Sequence, residues 1–326
     1  MSMKKKILIT GATGFIGSHL TELCVELGYD VKIVVRYNQS NYLGCLEGSE
    51  HQGRFEAVSG DVRNYSSIFD AMKGCCAVFH LAALSGIPYS LVSPLSYIHT
   101  NIEGTYNTLE AARNLEIENI LIASSSVVYG DAQYLPMDEK HPVVGQSPYS
   151  ASKIAAEQLA ISYYCSFNTP VKIVRLFSTY GPRQSTKTVI PTIITQILDG
   201  QGEIKLGNLQ PTRDLTYVKD VCNGLIEIYE SDKIFGEIVN LGINEEISIG
   251  HLTNKIVGIL DKKVDIKKVE ERTRSAKEDV ERMRCDNTKI LKNTNWSPQY
   301  DLEKGLNKTI EWLKENTMFY KSNFCK

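Results

Sequence analysis

The sequence predicts an α/β chain, a doubly wound parallel sheet joined to a smaller C-terminal α/β lobe. Three observations predict it. Short apolar runs alternate with helical patterns as far as Leu176. The first apolar run, Ile7-Leu8-Ile9, breaks into Gly11, Gly14 and Gly17 and passes straight into a helical pattern, Ile16, Leu20, Leu23 and Leu27. From Phe177 onward the alternation loosens, with Gly181-Pro182, Pro191, Gly200, Gly202, Gly207 and Pro211 punctuating shorter elements. At 326 residues the chain has room for one large or two smaller domains. The expected division is a nucleotide-binding lobe over 1–176 and a mainly substrate-binding lobe over 177–326, with the chain crossing between them.

The stretch Lys6–Gly28 is a strand, a glycine turn and a helix closed by Gly28. Gly11 permits the tight turn, Gly14 the close approach of a pyrophosphate, and Gly17 the contact of helix with strand. The first N–H groups of the helix then face the phosphates. A dinucleotide is the expected ligand.

Val31 to Val35 is the second strand. Its tip, Val35-Arg36-Tyr37-Asn38, lacks the acid that accepts from an NAD ribose. Arg36 is placed to pair with a 2′-phosphate, which would mean NADP, or to stack on adenine. Phe55 to Gly60 is the third strand, leading to Asp61-Val62, where Asp61 is either a helix cap or an acceptor for the adenine amine. Ala77 to Leu81 is the fourth, and the small residues Ala82 and Ala83 let a cofactor lie against the backbone. A long helix over Pro94–Asn114 carries Asn101, and Ile120 to Ala123 is the fifth strand.

That strand ends in Ser124-Ser125-Ser126-Val127-Val128-Tyr129-Gly130, a polar cluster at the carboxyl end of a parallel strand, where such sheets bind ligands. Tyr149 and Lys153, four apart, open the next helix on one face. A lysine ammonium one turn away, with a positive nicotinamide ring, favours the phenolate of a tyrosine. Tyr149 then takes a proton from a substrate hydroxyl that Ser125 holds, and Lys153 binds the nicotinamide ribose. Val171 to Leu176 is the sixth strand. Helices near Val221–Glu230 and Ile249–Leu260, a strand Ile238–Leu241 and a last helix Leu302–Glu315 follow. A charged stretch, Lys262–Asp286, carries Arg272, Arg274, Arg282 and Arg284. Arginines of this lobe suit an anionic substrate, and Arg213 is the strongest candidate.

The composition excludes several classes. A net charge of −2 gives no reason to expect nucleic acid or a membrane as partner, and no apolar run is long enough to span a bilayer. Met1–Lys6 leaves no room for a signal peptide, so the cytoplasm is expected. The eight cysteines include no Cys-x-x-Cys, and Cys24, Cys75, Cys76, Cys165 and Cys222 read as small core residues of a reducing compartment. The six histidines show no ligand spacing, so no metal is expected.

The glycine motif at 10–17, the serines before Val128-Tyr129-Gly130, and Tyr149-x-x-x-Lys153 resemble the extended short-chain dehydrogenase/reductases, the nucleotide-sugar epimerases and dehydratases. Asn101-x-x-Gly104-Thr105, Tyr180-Gly181-Pro182-Arg183 and Arg213-Asp214-x-x-Tyr217-Val218-x-Asp220 extend the likeness along most of the chain. The resemblance implies a modified Rossmann lobe, NAD as cofactor, a UDP-linked amino sugar as substrate, and a homodimer formed through helices 94–114 and 149–167. It implies cofactor contacts from Gly11, Thr13, Gly14, Phe15, Ile16, Gly17, Arg36, Asp61, Val62, Leu81, Ala82, Ala83, Asn101, Tyr149 and Lys153. It implies substrate contacts from Ser85, Ser125, Ser126, Ser178, Val189, Arg213 and Arg282.

Within the family, Ile87-Pro88-Tyr89-Ser90 and Gln146–Lys153 resemble the 4,6-dehydratases of legionaminic acid synthesis. Dehydratases, however, carry Asp-Glu or Ser-Glu where this chain has Ser126-Val127, and their usual Asn in Arg-x-Phe-Asn is Ser178 here. The whole pattern is similar to the pseudaminic acid branch that converts UDP-6-deoxy-GlcNAc-5,6-ene to UDP-4-keto-6-deoxy-L-AltNAc. A UDP-sugar 4-epimerase is the alternative, then an NDP-GlcNAc 4,6-dehydratase; outside enzymes, a nucleotide sensor on the same fold.

Overall fold

The computed structural model describes residues 5–200, 202–269 and 280–316. The N-terminal part alternates strand and helix: β1 (Lys6–Thr10), α1 (Phe15–Glu26), β2 (Asp30–Val35), β3 (Phe55–Ser59), α2 (Tyr65–Met72), β4 (Ala77–His80), α3 (Ile87–Val92), α4 (Pro94–Tyr97), α5 (Gly104–Asn114), β5 (Asn119–Ser125), α6 (Pro148–Phe167) and β6 (Val171–Leu176). The C-terminal part holds β7 (Ser178–Tyr180), α7 (Val189–Leu198), β8 (Glu203–Leu206), β9 (Thr212–Arg213), β10 (Leu215–Tyr217), α8 (Val218–Glu230), β11 (Ile238–Leu241), β12 (Ile247–Ser248), α9 (Ile249–Leu260), β13 (Asp265–Lys268), α10 (Thr288–Asn293) and α11 (Leu302–Glu315).

Seven strands form one parallel sheet in the order β11-β6-β5-β4-β1-β2-β3. The order reverses between β1 and β4, so the crevice at their carboxyl ends is where such a sheet takes a ligand. Ile7, Leu8 and Ile9 are buried because helices cover both faces of the sheet. One face packs residues of α1, α7, α8, α9 and α11, among them Leu20, Ile193, Leu225, Ile256 and Leu306. The other packs α2, α5 and α6, through Ile68, Leu109 and Ala160. From the C-terminal part, β11 joins the main sheet and pairs with β6 at its edge. α8 packs there too, with Cys222 against the Ile16 carbonyl of α1.

Three two-stranded sheets build the rest: β7 with β10, β9 with β12, and β8 with β13. These strands are too short to show a period in sequence, which is why the alternation loosens there. The helix expected over Pro94–Asn114 is interrupted. Ile98–Glu103 forms a wide π-type turn between α4 and α5 that carries Asn101. Cys24, Cys75 and Cys222 are buried as expected, but Cys76 is only half-buried and Cys165 is exposed. The apolar pattern of α6 that suggested a core role for Cys165 belongs to a face turned outward, where Tyr164 and Phe167 are exposed as well. No helix among the described residues is long and apolar enough to cross a membrane.

Candidate active site

The glycine turn is built as its spacing requires. Gly11 has φ +74°, and a Cβ there would lie 2.7 Å from the Ala82 nitrogen. A Cβ at Gly17 would lie 2.1 Å from the Gly11 carbonyl oxygen, so α1 seats on the end of β1 only with hydrogen at that position. Gly14 differs: a Cβ would meet only the Gly11 oxygen at 3.3 Å, and its outer side is open. α1 begins there with no side-chain cap. Its first N–H groups therefore suit an anion in the crevice, and the cradle fits a dinucleotide pyrophosphate.

The crevice is a cleft of about 580 Å³. Gly11, Thr13, Gly14, Phe15, Ile16 and Gly17 line one side, and Leu81, Ala82, Ala83 and Ser85 another. Arg36, Asp61 and Val62 close one end, and Tyr149 and Lys153 stand at the other. A second hollow of about 770 Å³ adjoins the Arg36 end and is lined by Tyr37, Asn38, Ser40 and Arg63. Asp61 forms an ion pair with Arg63 at 2.6 Å, which together with Arg36 holds its carboxyl below the usual range. It does not cap α2; Asn64 does, accepting from the Ser67 N–H at 3.0 Å. The cap alternative for Asp61 is thereby corrected. Asp61 Oδ1 instead accepts from the Arg63 N–H at 2.9 Å, within the turn that leads to Asn64.

At the other end, Ser147 and Ser150 make a capping box that starts α6, with Pro148 in its first turn. Tyr149 and Lys153 then project from one face of α6 toward the end of β5. Lys153 Nζ donates to the Ala123 carbonyl at 2.8 Å. Burial pulls its ammonium down to about 8, against the charge of Glu157 one turn further on. Burial raises the Tyr149 phenol, against a hydrogen bond from Ser125. The Tyr97 ring meets Tyr149 edge-on at 5.9 Å, and Tyr89 in turn lies 6.2 Å from Tyr97. A hydroxyl donor, a phenol and a buried ammonium are thus gathered at one point, the set needed to move a proton off a sugar hydroxyl.

The remaining expected residues lie apart from this cleft. Asn101 stands behind it, accepting from Leu84 N–H at 2.8 Å and donating to Ser152 Oγ at 2.9 Å, so it fastens the loop after β4. Ser126 is buried, with Oγ 3.9 Å from Met283 Sδ. Ser178 begins β7 and Val189 begins α7. Arg213 donates to the carbonyls of Thr212 and Val280, both at 2.8 Å. Arg282 is exposed and pairs with Glu246. A bridge between Thr212 and Arg282 sets the two arginine segments side by side. Arg272 and Arg274 lie outside the described residues. The fold also brings His51 within 3.1 Å of Glu26 and 3.8 Å of Glu50, a grouping that spacing gave no sign of. Its Nδ1 faces Arg54 Nη1 at 3.1 Å.

The architecture and the Ser–Tyr–Lys grouping together define an NAD-dependent nucleotide-sugar enzyme of the extended short-chain dehydrogenase/reductase class. The chain belongs to the family described as GDP-mannose 4,6-dehydratase, which matches residues 8–309. Among its relatives is a UDP-glucuronate 4-epimerase of Thermodesulfobacterium geofontis, 34% identical over 97% of this chain and 98% of the relative. Pal from Bacillus thuringiensis is 30% identical, with TM-score 0.85 over 95% of this chain and 99% of Pal. DesIV of Streptomyces venezuelae, a dTDP-glucose 4,6-dehydratase solved with NAD bound, is 27% identical, with TM-score 0.89 over 97% and 99%. Epimerase and dehydratase relatives thus stand at similar distances.

Proposed function

We propose that this enzyme uses NAD to oxidise C4 of a UDP-linked amino sugar and returns the hydride without expelling a hydroxyl. The observation that carries this reading is the chemistry of the cleft. Among the described residues lining it, Asp61 is the only acid, and it sits at the Arg36 end. Dehydration across C5 and C6 needs a base for one proton and an acid for the departing hydroxyl. Where dehydratases carry Asp-Glu or Ser-Glu, this chain has buried Ser126 and apolar Val127 and so no carboxyl.

The favoured reaction is conversion of UDP-6-deoxy-GlcNAc-5,6-ene to UDP-4-keto-6-deoxy-L-AltNAc, a balanced isomerisation. C4 loses a hydride and its hydroxyl proton; C6 gains a hydride and C5 a proton. NAD, when bound, supplies the hydride acceptor. Tyr149 takes the O4 proton, Ser125 holds that oxygen, and Lys153 supports the phenolate. Tyr89, more than half exposed on α3 and lining the cleft, is the side chain this reading assigns to C5. Arg213 and Arg282 bind the diphosphate. The resemblance of the sequence pattern to the pseudaminic acid branch supports this reaction.

A 4-epimerase is the second reading. The absence of an acid from the Tyr149 end of the described cleft lining favours it as well, because epimerisation needs no proton at C5. NMR of mixtures offered each sugar separately decides. Turnover of the 5,6-ene to a 4-keto-6-deoxy product supports the first reading; interconversion of gluco and galacto forms supports the second. Rapid dehydration of UDP-GlcNAc rejects both.

A further inference from the structure

Behind the Tyr149–Lys153 pair lies a buried charge cluster with no part in the chemistry so far. Glu157 is 1% exposed and Arg175 3%. They meet through two hydrogen bonds, Arg175 Nε to Glu157 Oε1 at 2.9 Å and Nη2 to Oε2 at 2.7 Å. Ser124 Oγ donates to the same Oε1 at 2.5 Å. One carboxylate therefore joins three elements: α6, β5 beside Ser125, and β6. Arg175 is fixed from its other side by the Tyr129 ring at 4.7 Å and by the Glu139 carbonyl.

The spacing gives this cluster its meaning. Glu157 is one turn beyond Lys153 and two beyond Tyr149, so all three share one face of α6. The strand residue it holds, Ser124, adjoins Ser125, and Lys153 itself is tied to Ala123 one residue earlier. A shift of α6 along β5 is resisted at both ends of that face.

We propose that Glu157, through its pair with Arg175, is a positioning residue that keeps Lys153 charged and holds Tyr149 in register with Ser125. The inference rests on the reading of Tyr149 and Lys153 as the proton-transfer pair. The other ionisable groups around them are His80 from β4, held neutral by burial, and the phenols of Tyr97 and Tyr89. Tyr129 and Glu139 adjoin Arg175. None of these supplies a second anion beside Lys153.

The test is a charge cycle. Glu157→Gln leaves Arg175 as an added positive charge, so Lys153 loses its proton and Tyr149 ionises at lower pH. Both limbs of the pH–rate profile move down by about one pH unit. Arg175→Gln leaves an unpaired anion and moves both limbs up. The double variant restores neutrality and returns them. A second readout needs no substrate: the phenolate difference spectrum of each protein against its own Tyr149→Phe version, whose midpoint moves in the same directions. If Glu157→Gln does not fold, Arg175→Gln and the double variant still carry the comparison. Lower rates with unmoved limbs and midpoints overturn the proposal and leave the cluster a purely structural one. Turnover indifferent to Tyr149→Phe instead overturns the reading beneath it.

Discussion

Lys153 reaches back from α6 to the Ala123 carbonyl on β5 at 2.8 Å, two residues before Ser125. That bond fixes how far Tyr149, one turn earlier on α6, stands from the Ser125 hydroxyl. It also occupies one of three ammonium protons and leaves two for a nicotinamide ribose and the tyrosine. Tyr149→Phe removes the proposed proton acceptor but keeps the ring against Tyr97. The expected outcome is a fall in turnover of roughly 10²–10⁴-fold with an unchanged thermal transition. Steady-state rates with calorimetry check both halves, and wild-type turnover would place the base elsewhere.

Gly17→Ala is expected to disturb the cradle from within. Its Cβ would overlap the Gly11 carbonyl, which is backbone and cannot swing aside. Overpacking of this kind costs about 1–3 kcal/mol. Because α1 would be pushed off β1, nucleotide affinity should fall together with stability. Isothermal calorimetry with NAD⁺ measures it, and undiminished binding would show that the turn does not carry the pyrophosphate.

The order and type of the main elements were legible because the buried strands are short and mostly apolar, even where Lys32, Lys172 or Arg175 interrupts them, and the helices keep one face inward. The strand β11 was legible as a strand, yet its place beside β6 follows from a crossing that no local pattern reveals. The site was legible where spacing alone makes proximity, as with Gly11, Gly14 and Gly17, or Tyr149 and Lys153. Glu157 lay within reach of the same reasoning, since four residues past Lys153 means the same helical face; its partner Arg175 comes from another strand and gives no such signal. The Ser126–Met283 contact likewise joins residues from distant parts of the chain.

The outward faces of the two longest helical segments predict association. Leu95, Ile98 and Tyr106 are exposed along α4 to α5, and Tyr164 and Phe167 along α6. Exposed apolar patches rimmed by polar residues mark interaction sites, and these adjoining helices offer one to a second copy of the chain. A dimer is expected by light scattering at micromolar concentration. Ile98→Arg should shift it toward monomer, and an unaltered mass would exclude this face.

Arg213 and Arg282 test the diphosphate assignment. Arg282 is solvent-facing, and Glu246 competes for its guanidinium. Loss of a charged hydrogen bond costs roughly 1.5–3 kcal/mol, so Arg→Ala at either position should weaken UDP binding to that extent. Arg213→Ala should also lower stability, because its carbonyl partners on Thr212 and Val280 are left without it. Glu246→Gln should do the reverse of Arg282→Ala and tighten UDP. Calorimetric titration with UDP alone separates these effects; equal affinities throughout would place the diphosphate elsewhere.

Tyr89 distinguishes the two proposed reactions. Once C4 of the 5,6-ene is a ketone and C6 has received hydride, the sugar is an enolate awaiting a proton at C5. The face that receives it fixes the D or L series. Tyr89 lines the cleft and stands in a row of rings with Tyr97 and Tyr149. With Tyr89→Phe, solvent must quench the enolate from either side. The expected outcome is slower turnover of the 5,6-ene and a mixture of C5 epimers, read by NMR of the products in deuterated buffer. In a 4-epimerase no proton moves at C5, and the same variant leaves the balance of gluco and galacto forms unaltered. A single C5 configuration formed at the wild-type rate would remove Tyr89 from the reaction and leave the C5 proton to another donor.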